Sequence, residues 1–182
     1  MKRYADDYEV VIKEDENGNE TKKVVYRGAY FDINLDKPGL RKYKRHCLLL
    51  LAAIIALHVG AGFISSRGMY QFYVVLPYVI TFLALYYLAA GILRLPDKTQ
   101  NLRHDEADLS FNRINKASSF LLVLLGITVI GEVVFLLFFT SLGNIEELYF
   151  LGLEAPAVIL AYLLFRNQKA VNIQEISDKS NK

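Results

Sequence analysis

The sequence predicts an all-α membrane protein: a four-transmembrane-helix bundle with a small amino-terminal cytosolic β-hairpin or meander. Apolar residues make up 53% of the 182 residues and charged residues 22%, yet the net charge is only +2. The two kinds of residue are segregated, because charges crowd into residues 1–46, 94–116 and 166–182 and the runs between are nearly free of them. Such segregation is typical of a chain that crosses a bilayer.

Four apolar runs are long enough to cross a membrane. A hydrocarbon core about 30 Å thick needs about 20 apolar residues in a helix, since the backbone must satisfy its own hydrogen bonds there. Helices of soluble domains are rarely apolar on every side over such a length, which argues against a soluble helical domain. We place the four spans at about 47–64, 70–93, 120–140 and 148–165.

The distribution of Lys and Arg gives the orientation, because positive side chains resist translocation. The transmembrane domain, residues 47–165, includes a cytosolic loop, residues 94–119, and lies between an amino-terminal segment, residues 1–46, and a tail, residues 166–182. These three polar segments carry 11, 5 and 4 of the 21 Lys and Arg residues, and the two short hairpins carry Arg67 alone. We therefore expect a multi-pass protein of the plasma (cell) membrane with both termini in the cytosol.

The amino-terminal segment contains the pattern of a β-hairpin. Two runs rich in Val, Ile and Tyr flank Asn17-Gly18, the dipeptide that best suits a two-residue type I′ turn. Pairing around that turn sets Val11 opposite Val24 and Val10 opposite Val25.

A third strand is expected after the hairpin, because Phe31, Ile33 and Leu35 alternate with polar residues. The hairpin and this strand form a three-stranded meander in the simplest arrangement. A sheet this small buries too little surface to be stable alone. It therefore needs a partner surface, which is the cytosolic loop, a second copy, another protein or the headgroup region.

The cytosolic loop is expected to contain a helix that runs on into the third span. Pro96 ends the second helix, and Asp105 is a suitable cap for a new one. Four residues recur on one face at helical spacing: Ala107, Phe111, Ile114 and Ser118.

Three ionisable residues fall inside the predicted spans: His58 in the first, Glu132 in the third and Glu154 in the fourth. Counted at about 1.5 Å per residue from the middle of each run, all three lie about 3 to 4 Å toward the outer side, and Tyr78 of the second span lies about 5 Å out. We therefore expect these four side chains to form one polar layer. Ionisable side chains are costly in hydrocarbon and typically mark a functional site facing the bundle interior.

A proline follows closely on the last of these residues, in Glu154-Ala155-Pro156. Proline inside a helix frees the carbonyl four residues earlier, here that of Gly152, and bends the helix. A free carbonyl beside a carboxylate is similar to the broken helices with which transporters hold cations or protons. In the other interpretation Glu132 and Glu154 are protonated and only hold the bundle together through hydrogen bonds. The sequence leaves both interpretations open.

The motif search excludes several kinds of chemistry. There is no GxxxxGK[ST] loop, no GxGxxG after a strand, no HExxH and no GxSxG. We therefore predict no cofactor and no nucleotide or nucleic-acid partner, and we assign no catalytic residue. Residues 104–108 contain metal-binding residue types, but adjacent positions on a helix do not converge on one ion, so no metal site is predicted.

Two functions fit this pattern. The first is a small transport-related protein with an intramembrane polar site, and the second is an accessory or regulatory membrane subunit that docks a partner through its amino-terminal sheet. A membrane enzyme with Glu and His as acid and base is a third hypothesis, although no substrate-binding element is visible. Besides the lipid bilayer we expect a protein partner or a homo-oligomer, because four helices enclose little space.

Overall fold

Four long helices dominate the computed structural model, which describes residues 2–14, 20–96, 100–139, 144–171 and 173–176. Each of the four is long and apolar enough to cross a membrane, which indicates a membrane-spanning protein. Their bounds are Lys37–Ala61 (α1), Phe72–Leu93 (α2), His104–Phe138 (α3) and Ile145–Lys169 (α4).

The helices pack as a ring in chain order. α2 packs along α3, α3 along α4 and α4 along α1, whereas α1 and α2 touch over a shorter stretch. Large apolar side chains also cover the outside of the ring, as at Val79, Ile130 and Ile159. A surface of this kind is unfavourable in water but is well covered by lipid chains.

The first helix begins well before the predicted span at residue 47. The Asp36 carboxylate accepts a hydrogen bond of 2.8 Å from the amide of Gly39, and Pro38 lies in the first turn. Both features favour a helix start, since the cap satisfies a free amide and proline needs none. The basic residues before the apolar run are therefore helical.

The third helix continues from the predicted loop into the predicted third span, as the sequence indicates. Its Glu106 carboxylate accepts a 3.0 Å hydrogen bond from the Arg103 amide, so Asp105 lies in the first turn and is not the cap that we expected. The face predicted from Ala107, Phe111, Ile114 and Ser118 is buried. The helix has three parts: α-helical His104–Ala107, a π-helical turn at Asp108–Asn112, and α-helical Arg113–Phe138.

The amino-terminal hairpin is present, but its predicted register is wrong by one residue. β1, Tyr8–Glu14, pairs antiparallel with β2, Glu20–Tyr26, and sets Val10 opposite Val24 and Val11 opposite Lys23. The last pair is Glu14 with Glu20, so five residues separate the strands. A longer connection shifts the pairing away from the register of a two-residue turn. The predicted turn at Asn17-Gly18 itself lies outside the described residues.

The predicted meander is also wrong, because the third strand joins a different sheet. β3, Tyr30–Ile33, pairs antiparallel with β4, Leu102–Arg103, on one side and with β5, Ile173–Ile176, on the other. The partner surface therefore comes from the loop and from the tail.

This second sheet ties three distant segments to one end of the bundle. β3 precedes α1, β4 follows α2 and β5 follows α4, so each strand is separated from the next by an even number of helices. The Ser65–Met69 connection, the end of α3 and the start of α4 accordingly belong to the opposite end, which we call the hairpin end. The end with the sheet is the sheet end.

The hairpin is anchored to the start of α3 by polar contacts. The Tyr26 hydroxyl donates to the Ala29 carbonyl and accepts from the His104 amide, both at 2.8 Å. Burial raises the pKa of Tyr26, which keeps the hydroxyl protonated and able to donate. In addition, the Tyr4 hydroxyl donates to Asp108 of the π-helical turn.

Candidate functional site

Three of the predicted polar residues meet in the bundle interior and form what we call the histidine cluster: His58, Tyr78 and Glu154. His58 Nδ1 lies 2.8 Å from Glu154 Oε1, and its Nε2 lies 3.2 Å from the Tyr78 carbonyl oxygen. The Tyr78 hydroxyl donates back to the His58 carbonyl at 2.8 Å. All three side chains are buried, so α1, α2 and α4 are joined here by polar contacts away from water.

The histidine cluster holds one shared proton. A carbonyl oxygen can only accept, so His58 Nε2 must carry a hydrogen to face the Tyr78 carbonyl. The 2.8 Å contact between Nδ1 and Glu154 then needs one further proton, whether it resides on the imidazole or on the carboxyl. Loss of that proton would leave a nitrogen lone pair against a buried carboxylate. The pair is therefore neutral as a unit.

Aromatic rings enclose the imidazole. The centroid of the Tyr78 ring lies 4.2 Å from that of His58, and the Phe82 ring lies 4.8 Å away. The imidazole is therefore packed against two aromatic side chains of α2.

A second group of acids lies nearer the hairpin end, and we call it the carboxyl cluster: Ser66, Glu132 and Glu147. The Ser66 hydroxyl lies 3.2 Å from Glu132 Oε1 and 2.5 Å from Glu147 Oε2. Glu147 Oε1 also accepts a 2.9 Å hydrogen bond from the Arg67 amide. All three side chains of the cluster are buried.

The carboxyl cluster also needs a shared proton. A hydroxyl group has a single hydrogen, so Ser66 can donate to one carboxylate only. Glu147 accepts a backbone amide as well and is the better place for negative charge. The contact between Ser66 and Glu132 is then favourable when Glu132 is protonated and donates to the hydroxyl oxygen.

Each cluster has one carboxyl oxygen without a hydrogen-bond partner among the described residues. These atoms are Glu132 Oε2 and Glu154 Oε2, and both are buried. Buried polar atoms are nearly always paired in proteins, and an unpaired one costs about 1 to 3 kcal/mol. The two clusters are thus stabilised incompletely by the chain itself.

The two clusters are stacked along α4. Glu147 and Glu154 are seven residues apart by number, which is close to two turns, so they lie on the same face about 10 Å apart. Phe150 lies between them on that face and is fully buried, in one apolar cluster with Ala61, Val74 and Tyr78. An apolar side chain therefore separates the two acid groups.

The sequence predicted one layer of four residues, and the structure divides it. His58, Tyr78 and Glu154 meet, whereas Glu132 makes its hydrogen bond to Ser66 in the other cluster. Glu147 and Ser66 were missed because we assigned them to connections outside the spans. The spacing of seven between two acids on one helix face is the signal that indicates Glu147.

Other polar side chains in the spans bond to their own helix. Thr81 Oγ1 donates to the Pro77 carbonyl at 2.8 Å, and Thr128 Oγ1 donates to the Leu124 carbonyl at 3.0 Å. Within the described part of the chain there is no group of three or more His, Cys, Asp or Glu that could hold a metal ion.

Comparison with protein-family models, curated proteins and solved structures finds no match to this chain. The functional argument therefore rests on the two clusters and on the surfaces around them.

The close approach of Gly68 to Glu132 gives a stability prediction. A Cβ atom at Gly68 would overlap the Glu132 carboxyl group, so Gly68→Ala must displace that group. We expect a free energy of unfolding lower by about 1 to 3 kcal/mol, the usual cost of overpacking, in thermal unfolding of the detergent-solubilised protein.

Gly126→Ala is the matched control, because a Cβ there would have no atom within 4 Å. We expect its stability to be unchanged or raised by up to about 1 kcal/mol through helix propensity. Equal stability of the two variants would contradict the placement of Glu132 against Gly68.

Proposed function

We propose that this chain is a transport-related protein of the plasma membrane that binds and moves protons through the histidine and carboxyl clusters. The observation that carries the proposal is that two buried, hydrogen-bonded groups of acids are stacked along a single face of α4. Acids and imidazoles in such contacts exchange protons readily when their surroundings change.

The unpaired oxygens favour transport over a purely structural role. Polar groups that only join helices gain most when every atom has a partner, yet Glu132 Oε2 and Glu154 Oε2 lack one among the described residues. An atom that must receive a proton, water or solute at another stage of a cycle is expected to be unpaired in one state. Ionisable residues at this depth mark ion pathways in many membrane proteins.

Two prolines provide the flexibility that a cycle needs. Pro77 lies beside Tyr78 in α2 and Pro156 follows Glu154 in α4, so each helix lacks a backbone hydrogen bond next to the histidine cluster. Helices bend at such positions. Bending at these prolines would move Phe150 and let the two clusters approach each other.

The proton-transport proposal is tested with the purified protein in liposomes that contain a pH-sensitive dye. Under an imposed membrane potential we expect wild type to pass protons faster than protein-free liposomes. The double variant Glu132→Gln, Glu154→Gln is expected to return the rate to that background, because glutamine keeps the size but cannot release a proton.

Glu146→Gln is the matched control, because Glu146 is the exposed neighbour of Glu147 in the same turn of α4. It should conduct as wild type does. A double variant that conducts protons at the wild-type rate would sink the proposal, and so would wild-type liposomes that are no more permeable than empty ones.

We further propose that the sheet end faces the cytosol. The support is the excess of Lys and Arg in the three segments at that end, against Arg67 alone at the hairpin end. The two acid clusters then lie in the outer half of the bilayer.

Single cysteines test this orientation in a Cys47→Ala background, since Cys47 is the native cysteine of the chain. We expect Ser65→Cys to react with a membrane-impermeant maleimide in intact cells. Lys22→Cys and Glu175→Cys should react only after lysis. All three native residues are exposed in the folded chain. The reverse pattern of labelling would overturn the orientation.

A second candidate function is docking of a protein partner by the hairpin. Val10, Ile12 and Val24 lie on one face of the two strands and are 59%, 56% and 62% exposed. The same face carries Tyr8 and Tyr26, whose rings pack together at the anchored end. An exposed apolar face on a hairpin fixed at one end is typical of an interaction surface and favours the role of an accessory subunit.

Substitution on this face tests docking. We expect the double variant Val10→Asp, Val24→Asp to lose a specific co-purifying protein after cross-linking in membranes, because charge opposes burial of the face. Lys23→Asp changes the opposite face and should retain that protein. Recovery of the same proteins with all three forms, or of none with wild type, would argue against docking.

A further inference from the structure

The sheet end carries a groove that is separate from both acid clusters. It lies between α2 and α3, has a volume of about 560 Å³, and is walled by the π-helical turn Asp108–Asn112. π-helical turns are rare and occur frequently at functional sites. Tyr4 from the amino-terminal segment closes one side of the groove.

The groove is polar at one end and apolar at the other. Arg113 and Lys116 line it toward the sheet end, and Ala84, Tyr87 and Phe120 line it toward the membrane. Lys116 precedes Phe120 by one helical turn, and Phe120 is where the predicted third span begins. The cations thus lie at the boundary between hydrocarbon and water, the depth of lipid phosphates.

The net charge of the groove lining is positive, since Arg113 and Lys116 outnumber Asp108. Neither Arg113 nor Lys116 forms a salt bridge in the described part of the chain. The one acidic residue in the lining, Asp108, already accepts hydrogen bonds from the Tyr4 hydroxyl and from Asn112 Nδ2. The polar end of the groove is therefore suited to bind an anionic group.

A second cavity adjoins the first on the neighbouring face of α3. It has a volume of about 550 Å³, lies between α3 and α4, and shares Lys116 and Phe120 with the first groove. Lys169 lines it as well, with its Nζ 4.7 Å from the centroid of the Phe165 ring. The two grooves, which we call the two channels, therefore each have apolar side chains beside the cation Lys116.

We propose that these two channels bind one anionic phospholipid of the surrounding bilayer. Its phosphate lies at Arg113 and Lys116, and its two acyl chains lie on either side of α3 against Phe120. A lipid fits because its anionic head matches Arg113 and Lys116, and its two acyl tails match the apolar side chains in each channel. This site is independent of the proposed proton transport.

Native mass spectrometry of the detergent-solubilised chain tests the site by titration with phosphatidylglycerol and with phosphatidylcholine of the same acyl chains. We expect wild type to bind phosphatidylglycerol more tightly. Lys116→Gln should weaken that binding roughly fivefold, and the double variant Arg113→Gln, Lys116→Gln roughly thirtyfold, as each cation near a lipid surface contributes about that factor. Lys116 is exposed, so its single variant is expected to fold.

Arg94→Gln is the matched control, because it removes the same charge at the sheet end outside both channels, and it should bind phosphatidylglycerol as wild type does. Equal affinity of wild type for the two lipids would overturn the proposal. Undiminished phosphatidylglycerol binding by Lys116→Gln would overturn it as well. Full competition by inorganic phosphate would also overturn it, since a soluble anion would then account for the binding without acyl chains.

Discussion

Hydrocarbon offers no hydrogen bonds, and this constraint explains most of the architecture of the chain. The backbone forms its own hydrogen bonds in four long helices, and the described segments that are not helical lie at the two ends of the bundle. Buried polar side chains form hydrogen bonds with one another, as His58 does with Glu154, or with the backbone of their own helix, as Thr81 does. The same constraint explains the position of the second sheet. Open sheet edges are not tolerated in hydrocarbon, so the three segments pair as strands beyond the ends of the helices.

Sequence reasoning succeeded where a single local property decides the outcome. Apolar runs gave the four helices, and helical spacing gave the buried face of Phe111 and Ile114. Sequence reasoning failed where the structure of a segment depends on residues far away in the sequence. The two residues of β4 and the four of β5 carry almost no local signal, and they become strands only because β3 lies between them. The hairpin register failed for a related reason, since the length of the connection, and not the best turn dipeptide, sets which residues pair.

The candidate site shows the same division. His58, Glu132 and Glu154 stand out because charge is rare inside apolar runs, and the structure brings His58 and Glu154 into contact. We grouped Glu132 with His58 and Glu154, whereas the structure places it with Ser66 and Glu147. Glu147 lies in the first turn of its helix, where an acidic residue is expected on the surface because helix amino termini favour negative charge and are usually solvated. Burial of Glu147 against Ser66 arises from the fold of the α1–α2 connection, which local sequence does not encode.

The arrangement of acids along α4 bears on whether they transfer protons or only hold the helices together. A structural role requires one well-paired polar contact for each helix junction, and the contact of His58 with Glu154 already joins α1 to α4. A second acid group two turns away adds cost, because it brings Glu132 and Glu147 together at Ser66 and leaves a carboxyl oxygen unpaired. This energetic cost is explained if protons pass between the carboxyl cluster and the histidine cluster. Phe150 then keeps the two groups apart at rest, and the prolines beside the histidine cluster allow the helices to bring them together. Separation by an apolar side chain is what a controlled pathway needs, since continuous contact between acids would leak protons.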